Sequence, residues 1–189
     1  MEEQGIPTGK QYQYVKTYKC NKDIYFHGLS FLAAGRLLYK SEDKKLFTPA
    51  MINICLATEI LLKSINVKHT WIADEVKFGD TIAYIGRDSS LKITSSNGHH
   101  LSKLFRALPD ETQLQISEIA KKESYKGDIA SGLEAYDKAF VDWRYIYEKI
   151  ESMSLGTYPL FKICDAINTY CEISHTLSPS VESQELTQQ

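Results

Sequence analysis

The sequence predicts an all-α protein, an antiparallel bundle of about five to six helices with a long loop after the second helix. Apolar residues recur at intervals of three and four over most of the chain, which is the spacing of a buried helix face. Glycine and proline interrupt this pattern repeatedly, and the sequence has no internal repeats. Short connections between amphipathic helices favour antiparallel neighbours, so these segments are expected to form one bundle.

The composition supports a folded domain and argues against two functional classes. The 189 residues are 43% hydrophobic, which is enough to bury a core, and the formal net charge is -2. This balance is not that of a protein that binds duplex DNA or an anionic membrane through its overall charge, although a local basic patch is compatible with it.

The cysteines and the terminal segment bear on cofactors and location. The four cysteines lack CxxC spacing and a nearby histidine ladder, so no metal site and no other cofactor is expected. The N-terminus lacks the apolar core of a signal peptide, and no stretch reaches the roughly 18 consecutive apolar residues of a membrane span. We therefore expect a cytoplasmic protein that does not enter a membrane.

The chain divides into an N-terminal arm (1–22), a helical domain (23–175) and a disordered tail (176–189). The arm is polar and rich in Lys and Tyr, without sustained periodicity. The tail is short of aliphatic side chains, as is typical of a disordered terminus.

The first two helices are expected at about 23–40 and 48–65. The second, TPAMINICLATEILLKSI, is apolar on nearly every face and is therefore expected to be buried. In the first, Gly28 and Gly35 stand seven residues apart. They either let a neighbouring backbone approach closely or simply weaken the helix, by about 1 kcal/mol each against Ala.

Residues 67–98 break the helical pattern. The stretch VKFGDTIAYIG alternates in part, so a short hairpin is one interpretation, but we favour a loop with little regular structure. Four helical segments then follow: HHLSKLFRAL, a segment from 110 to about 124, a long one from about 129 to 152, and a final one ending near His175.

Polar groups inside the apolar helices are the candidate functional residues. Glu59 and Lys63 stand at i,i+4 with the carboxylate first, the favourable order for an intrahelical pair. A buried charge is rare unless it is paired or functional, and here we favour a satisfied structural pair.

A second candidate lies in the segment DWRYIYEK, where Arg144 and Glu148 stand at i,i+4 among aromatic residues. An Arg flanked by aromatic rings can stack on a base and grip a phosphate with its planar guanidinium. It can equally neutralise Glu148 or Glu59 in a cleft between helices.

The third candidate is the pair His99 and His100 at the start of a short helix. One of them could transfer a proton or contact a phosphate, or a histidine could simply cap the helix. Lys103 and Arg106 on the same helix add basic groups for substrate binding.

Three segments in this order resemble the HEPN superfamily of helical domains: ICLATEILLKSI, GHHLSKLFRALP and FVDWRYIYE. The resemblance covers roughly residues 23–175. It implies a bundle of four to six helices that dimerises around the helix carrying the Arg. Many members are metal-independent ribonucleases of toxin–antitoxin and phage-defence systems.

The family's motif is an Arg, four to six residues, and then a His. Arg144 matches the Arg, but the three positions open to the His hold Lys149, Ile150 and Glu151. None of these exchanges a proton near neutral pH as imidazole does. Cleavage is therefore expected only if His100 folds back towards Arg144.

The expected function is that of a HEPN-like homodimer that binds RNA or a nucleotide in a defence or toxin–antitoxin setting. Arg144 and His100 are its candidate catalytic residues, and Glu148, Lys103 and Arg106 join Arg144 in binding substrate. The dimer is expected to form through the helix around Trp143 and Tyr147, and a cognate antitoxin is a candidate partner. The alternative is a non-catalytic helical module that binds another protein.

Overall fold

The protein folds as a helical layer joined to a long antiparallel sheet, an α+β arrangement. The computed structural model describes residues 5–41, 43–92, 98–137 and 157–186. The strands are β1 (Ile6–Cys20), β2 (Ile65–Phe78), β3 (Thr81–Lys92) and β4 (Ser180–Leu186). The helices are α1 (Lys22–Lys40), α2 (Phe47–Ser64), α3 (Leu101–Arg106), α4 (Asp110–Lys122), α5 (Ile129–Glu134) and α6 (Thr157–Ser174), and a 3₁₀ turn (Lys44–Leu46) leads into α2.

The all-α prediction is wrong. The N-terminal arm (1–22) contains β1, the long loop (67–98) lies largely within a β2–β3 hairpin, and the tail (176–189) contains β4. The physical reason is that β1 and β4 pair with strands remote in sequence, whereas the local β2–β3 hairpin shows only partial alternation in its sequence. In β1, for example, Tyr14 pairs with Trp71 of β2, and only the folding of α1 and α2 brings these two strands together.

Within the described sheet the strand order is β3-β2-β1-β4, and all neighbours are antiparallel. β2 begins directly after α2, and the backbone N–H of Asn21 donates to the carbonyl of Ser64 at 2.7 Å, which ties the base of the sheet to the helices. A two-residue turn with Gly79 at φ +56° joins β2 to β3. Glycine adopts this left-handed conformation without strain.

The helical layer has a continuous apolar core centred on α2. Ile54 and Leu61 of this helix are fully buried, and α6 packs against it. A Cβ on Gly35 would lie 2.7 Å from Ile54 Cδ1, and one on Gly28 would lie 3.0 Å from Leu61 Cδ2. The two glycines therefore let α1 approach α2 closely, which favours the first of the two interpretations of their spacing.

One described stretch, Lys44–Ser64, is long and apolar enough to cross a membrane by length and composition. In this fold it is the central core helix, and its side chains belong to the same buried cluster as those of α4 and α6. Its hydrophobicity is thus accounted for by the core of a folded domain. The cytoplasmic location stays a prediction.

The end of the helical layer that holds the candidate residues is built by α2, α3 and α5. The long helix expected from about 129 to 152 begins as α5, which ends at Glu134 and is followed by a turn over 135–137. The remainder of that segment lies outside the described residues. α3 and α5 pack together, and α3 also contacts α2, so the start of α3 faces polar groups from both neighbours.

Candidate functional site

Glu59 is the buried acid of the candidate site. It lies on the core helix α2, and its side chain is only 6% exposed. Lys63, one turn later, places Nζ 2.6 Å from Glu59 Oε1, and its side chain is 24% exposed. The helix thus holds an ion pair whose carboxylate is inside the fold while its ammonium reaches the surface.

His99 shares the same carboxylate oxygen. Its Nδ1 lies 2.9 Å from Glu59 Oε1, although the imidazole side chain is 67% exposed. Gly98, at φ +84°, forms the turn that leads the chain into this position. Because an ionised carboxylate can only accept, Nδ1 is the donor in this contact, and the basic lone pair of the neutral ring is on Nε2.

His100 has different surroundings. It occupies the N-cap position of α3 but makes no side-chain capping bond there, so the capping interpretation does not hold for this residue. The first turn of α3 is instead satisfied by Asp137, whose Oδ1 accepts from the Ser102 N–H at 2.8 Å and whose Oδ2 accepts from Ser102 Oγ at 2.5 Å. His100 Nδ1 stands 3.9 Å from Asp137 Oδ2.

Basic groups line the same short helix. Lys103 is exposed, and Arg106 lies 3.5 Å from Glu134 Oε2 in a pair whose two side chains are both largely exposed. Exposed pairs of this kind contribute little to stability, so Arg106 is available to other anions. Arg144, Glu148 and the predicted dimer helix around Trp143 lie outside the described residues.

The cysteines do not add a nucleophile to this site, because all four are free and buried. Cys20, whose pKa is lowered by its hydrogen bonds with Cys171 and Ser64, lies at the base of the sheet. Burial raises the pKa of the Cys164 thiol to about 12 and that of Cys55 still further, which keeps both in the unreactive thiol form. In the described part of the chain, no group of three or more His, Cys, Asp or Glu side chains could hold a metal ion.

The arrangement can move a proton. A buried carboxylate that accepts from one imidazole nitrogen fixes the orientation of the ring and stabilises the imidazolium formed when the other nitrogen takes a proton. The sequence identified Glu59, Lys63 and the two histidines but did not pair Glu59 with His99, which is 40 positions away. Asp137 was missed altogether, because an aspartate after a short helix has no distinguishing pattern.

No family model, no curated protein and no solved structure matches this chain. The resemblance to HEPN domains therefore stays a prediction based on the order of three sequence segments. Two of those segments lie in the described structure, one in the later part of α2 and the other over α3 and its flanking residues, and the contact between Glu59 and His99 joins them.

Proposed function

We propose that the protein binds RNA and cleaves it without a metal ion, with His99 as the proton-transfer group and Glu59 as the residue that positions it. The single observation behind this proposal is the 2.9 Å contact between a buried carboxylate and an exposed imidazole. The setting that the resemblance implies, a defence or toxin–antitoxin system, belongs to the same proposal.

The reaction that suits this pair is attack by the ribose 2′-hydroxyl on the adjacent phosphorus. His99 Nε2 takes the hydroxyl proton as the 2′-oxygen bonds to phosphorus, and the bond from phosphorus to the 5′-oxygen breaks. The departing oxygen takes a proton from water or from His100. The charge of Glu59 stabilises the imidazolium that forms, and general acid–base groups of this kind contribute about 10²- to 10⁴-fold in rate.

Substrate binding falls to the cations around this pair. Lys63 reaches the surface beside His99, and Lys103 and Arg106 lie on α3, which follows His99 in the chain. Arg144 remains the predicted principal anion-binding group, since a guanidinium matches two phosphate oxygens at once. Binding through such contacts weakens steeply as salt is added.

The test compares five variants by filter binding at low salt and by gel assay of RNA cleavage in the presence of EDTA. Arg144→Ala should abolish RNA binding, whereas His99→Ala should bind normally and lose cleavage by at least about 100-fold. His27→Ala, a histidine that packs against Phe31 on α1, is the matched control and should resemble the wild type.

His100→Ala decides between the two neighbouring histidines. Cleavage lost in this variant and kept in His99→Ala would transfer the proton-transfer role to His100. Unchanged RNA affinity in Arg144→Ala and in the double charge reversal of Lys103 and Arg106 would refute RNA binding at the candidate site.

A protein-binding module is the second candidate, favoured by one observation. β3 is an edge of the described sheet, and four of its side chains are about half exposed although they are apolar or aromatic: Ile82, Tyr84, Ile85 and Leu91. Long apolar edges of this kind attract other strands. Binding that persists in high salt would support this function, and sedimentation at micromolar concentration tests the predicted homodimer.

A further inference from the structure

One face of the sheet carries a row of aromatic rings that the chemistry above does not use. Tyr14 of β1 pairs with Trp71 of β2, and residues directly opposite in an antiparallel ladder share a face. Tyr12 lies two positions before Tyr14 on the same face. Glu75 of β2 is an even number of positions after Trp71, so its side chain lies on the same face. Tyr84 of β3 pairs with Glu75 and therefore lies on this face too. These four rings are called the aromatic face below.

The four rings hold one another in place. Tyr14 and Trp71 are stacked, with ring centroids 5.3 Å apart and planes 10° from parallel. Tyr84 meets the ring of Tyr12 edge-on at 5.2 Å and that of Tyr14 at 6.1 Å. Tyr84 is 49% exposed and the other three are half-buried, so the row presents ring surface to solvent. Rings that are already fixed lose little conformational entropy when a ligand stacks on them.

The charge beside the aromatic face is suited to phosphate. Lys16 follows Tyr14 on the same face, with Nζ 5.2 Å from the centroid of Tyr18. β1 contains three lysines and no acidic residue. The acid within the face, Glu75, is buried and accepts a hydrogen bond from Tyr12 at 3.1 Å, and Glu185 at its border lies 4.0 Å from Lys10.

We propose that the aromatic face binds single-stranded RNA, with bases stacking on the rings and Lys16 contacting the phosphate backbone. This inference rests on the proposed function and deepens it, because it names the form of RNA and a second place where it binds. Bases in a duplex have their ring surfaces covered by their neighbours, whereas unpaired bases can stack on protein aromatics. A row of tyrosines and a tryptophan with an adjacent lysine is better suited to unpaired bases and their phosphates than to an aliphatic protein surface.

Trp71 provides a direct probe. The chain has two tryptophans, so the Trp71 signal is taken as the part of the wild-type fluorescence change that Trp71→Phe loses. Titration with a 12-nucleotide oligouridylate should quench the Trp71 fluorescence along the same isotherm as filter binding. A 12-base-pair RNA duplex should leave the fluorescence nearly unchanged.

Substitutions locate the contact. Tyr14→Ala and Trp71→Leu should each weaken binding of the oligouridylate about 10-fold, in keeping with the effect of removing one base-stacking ring. Tyr14→Phe keeps the ring and should bind like the wild type. Phe26→Ala and Tyr39→Ala remove exposed aromatic rings from α1 and are the matched controls. Lys16→Ala should reduce the slope of log affinity against log salt by about 0.7.

The outcomes separate the inference from the function on which it rests. If the wild type binds RNA but Trp71 is not quenched and the ring variants match the controls, RNA binding at the aromatic face is refuted and the proposed function stands. If no RNA binds at low salt, both are refuted. Quenching by the oligouridylate that is insensitive to salt would exclude a phosphate contact by Lys16 and would also overturn the inference. Should Tyr14→Ala fail to fold, the fluorescence titration still decides.

Discussion

The helical layer and the sheet are stabilised by different interactions. In the helical layer, side chains such as Ile54, Leu61 and Ile163 are completely removed from water. In the sheet, the buried apolar side chains are fewer: Ile65 and Val67 lie at the base and Ala73 and Val76 further along β2, while the outer strand β3 keeps its large side chains half exposed. Hydrophobic burial therefore holds the helices together, whereas ladder hydrogen bonds and cross-strand ring contacts hold most of the sheet.

The two regions meet in a small polar contact. Cys20, the last residue of β1, places Sγ 3.3 Å from Ser64 Oγ at the end of α2, and that hydroxyl lies 3.6 Å from Cys171 Sγ on α6. All three residues are buried. Because the base of the sheet is part of the helical core, the sheet depends on the helices for its position, and loss of the core should release both.

The largest expected effect comes from truncating equivalent aliphatic side chains in the two regions. Leu61→Ala removes a fully buried side chain from α2 and should lower the free energy of unfolding by about 3 to 4 kcal/mol. Ile85→Ala removes a side chain that is half exposed on β3 and should cost less than about 0.5 kcal/mol. Urea unfolding followed by circular dichroism measures both. Equal losses would show that the sheet is held by burial as much as the helices are.

A smaller effect is expected at the buried acid of the candidate site. Glu59→Ala should lower the free energy of unfolding by about 2 kcal/mol, below the roughly 3 to 5 kcal/mol of a wholly dry pair, because Lys63 can still reach water. Glu59→Gln keeps the volume and a hydrogen-bond acceptor and should cost less. Glu118→Ala, an exposed acid on α4, is the control and should change stability by no more than about 0.5 kcal/mol. Indistinguishable values for all three variants would place Glu59 in solvent.

The same contrast explains which elements could be predicted from the sequence. The first two helices, expected at 23–40 and 48–65, are observed at Lys22–Lys40 and Phe47–Ser64. Each buries a face against its neighbour, so its apolar residues repeat with the period of its own helix. Helical periodicity is a local property and is visible in an isolated sequence.

β1 and β4 are not predicted because their stability is not local, whereas the β2–β3 hairpin is local and is one of the two interpretations of residues 67–98. β1 alternates tyrosines with polar residues and has few aliphatic side chains, while the sequence of β4, SVESQEL, is polar and exposed. β2 follows α2 without an intervening glycine or proline, so its start has no sequence boundary. The candidate site shows the same limit. Glu59 and His99 were each identified, but the contact between them depends on how α3 packs against α2.

The final prediction compares one tyrosine from each region. The pKa of Tyr12 in the sheet is raised to about 12 by partial burial and then by its hydrogen bond to the Glu75 carboxylate. The pKa of Tyr25, which is almost wholly buried in the helical layer, is also raised to about 12, first by burial and then by the charge of Glu172. Similar values thus arise from different surroundings.

The sign of the effect on stability follows from the direction of these shifts. A phenol whose pKa is higher in the folded protein than its ordinary 10 stabilises the fold fully below pH 10, and this contribution is lost as the pH rises through 12. Glu75→Gln removes the negative charge beside Tyr12 and should move its pKa part of the way back towards 10, while Tyr25 keeps its value. The chemical shift of each tyrosine Cζ, followed by NMR as the pH is raised, measures the two separately, with Tyr12→Phe assigning the signal. If the pKa values of both tyrosines shift in Glu75→Gln, the charge of Glu75 acts on the helical core as well as on the sheet. The sheet and the core would then not be electrostatically separate, as this comparison assumes.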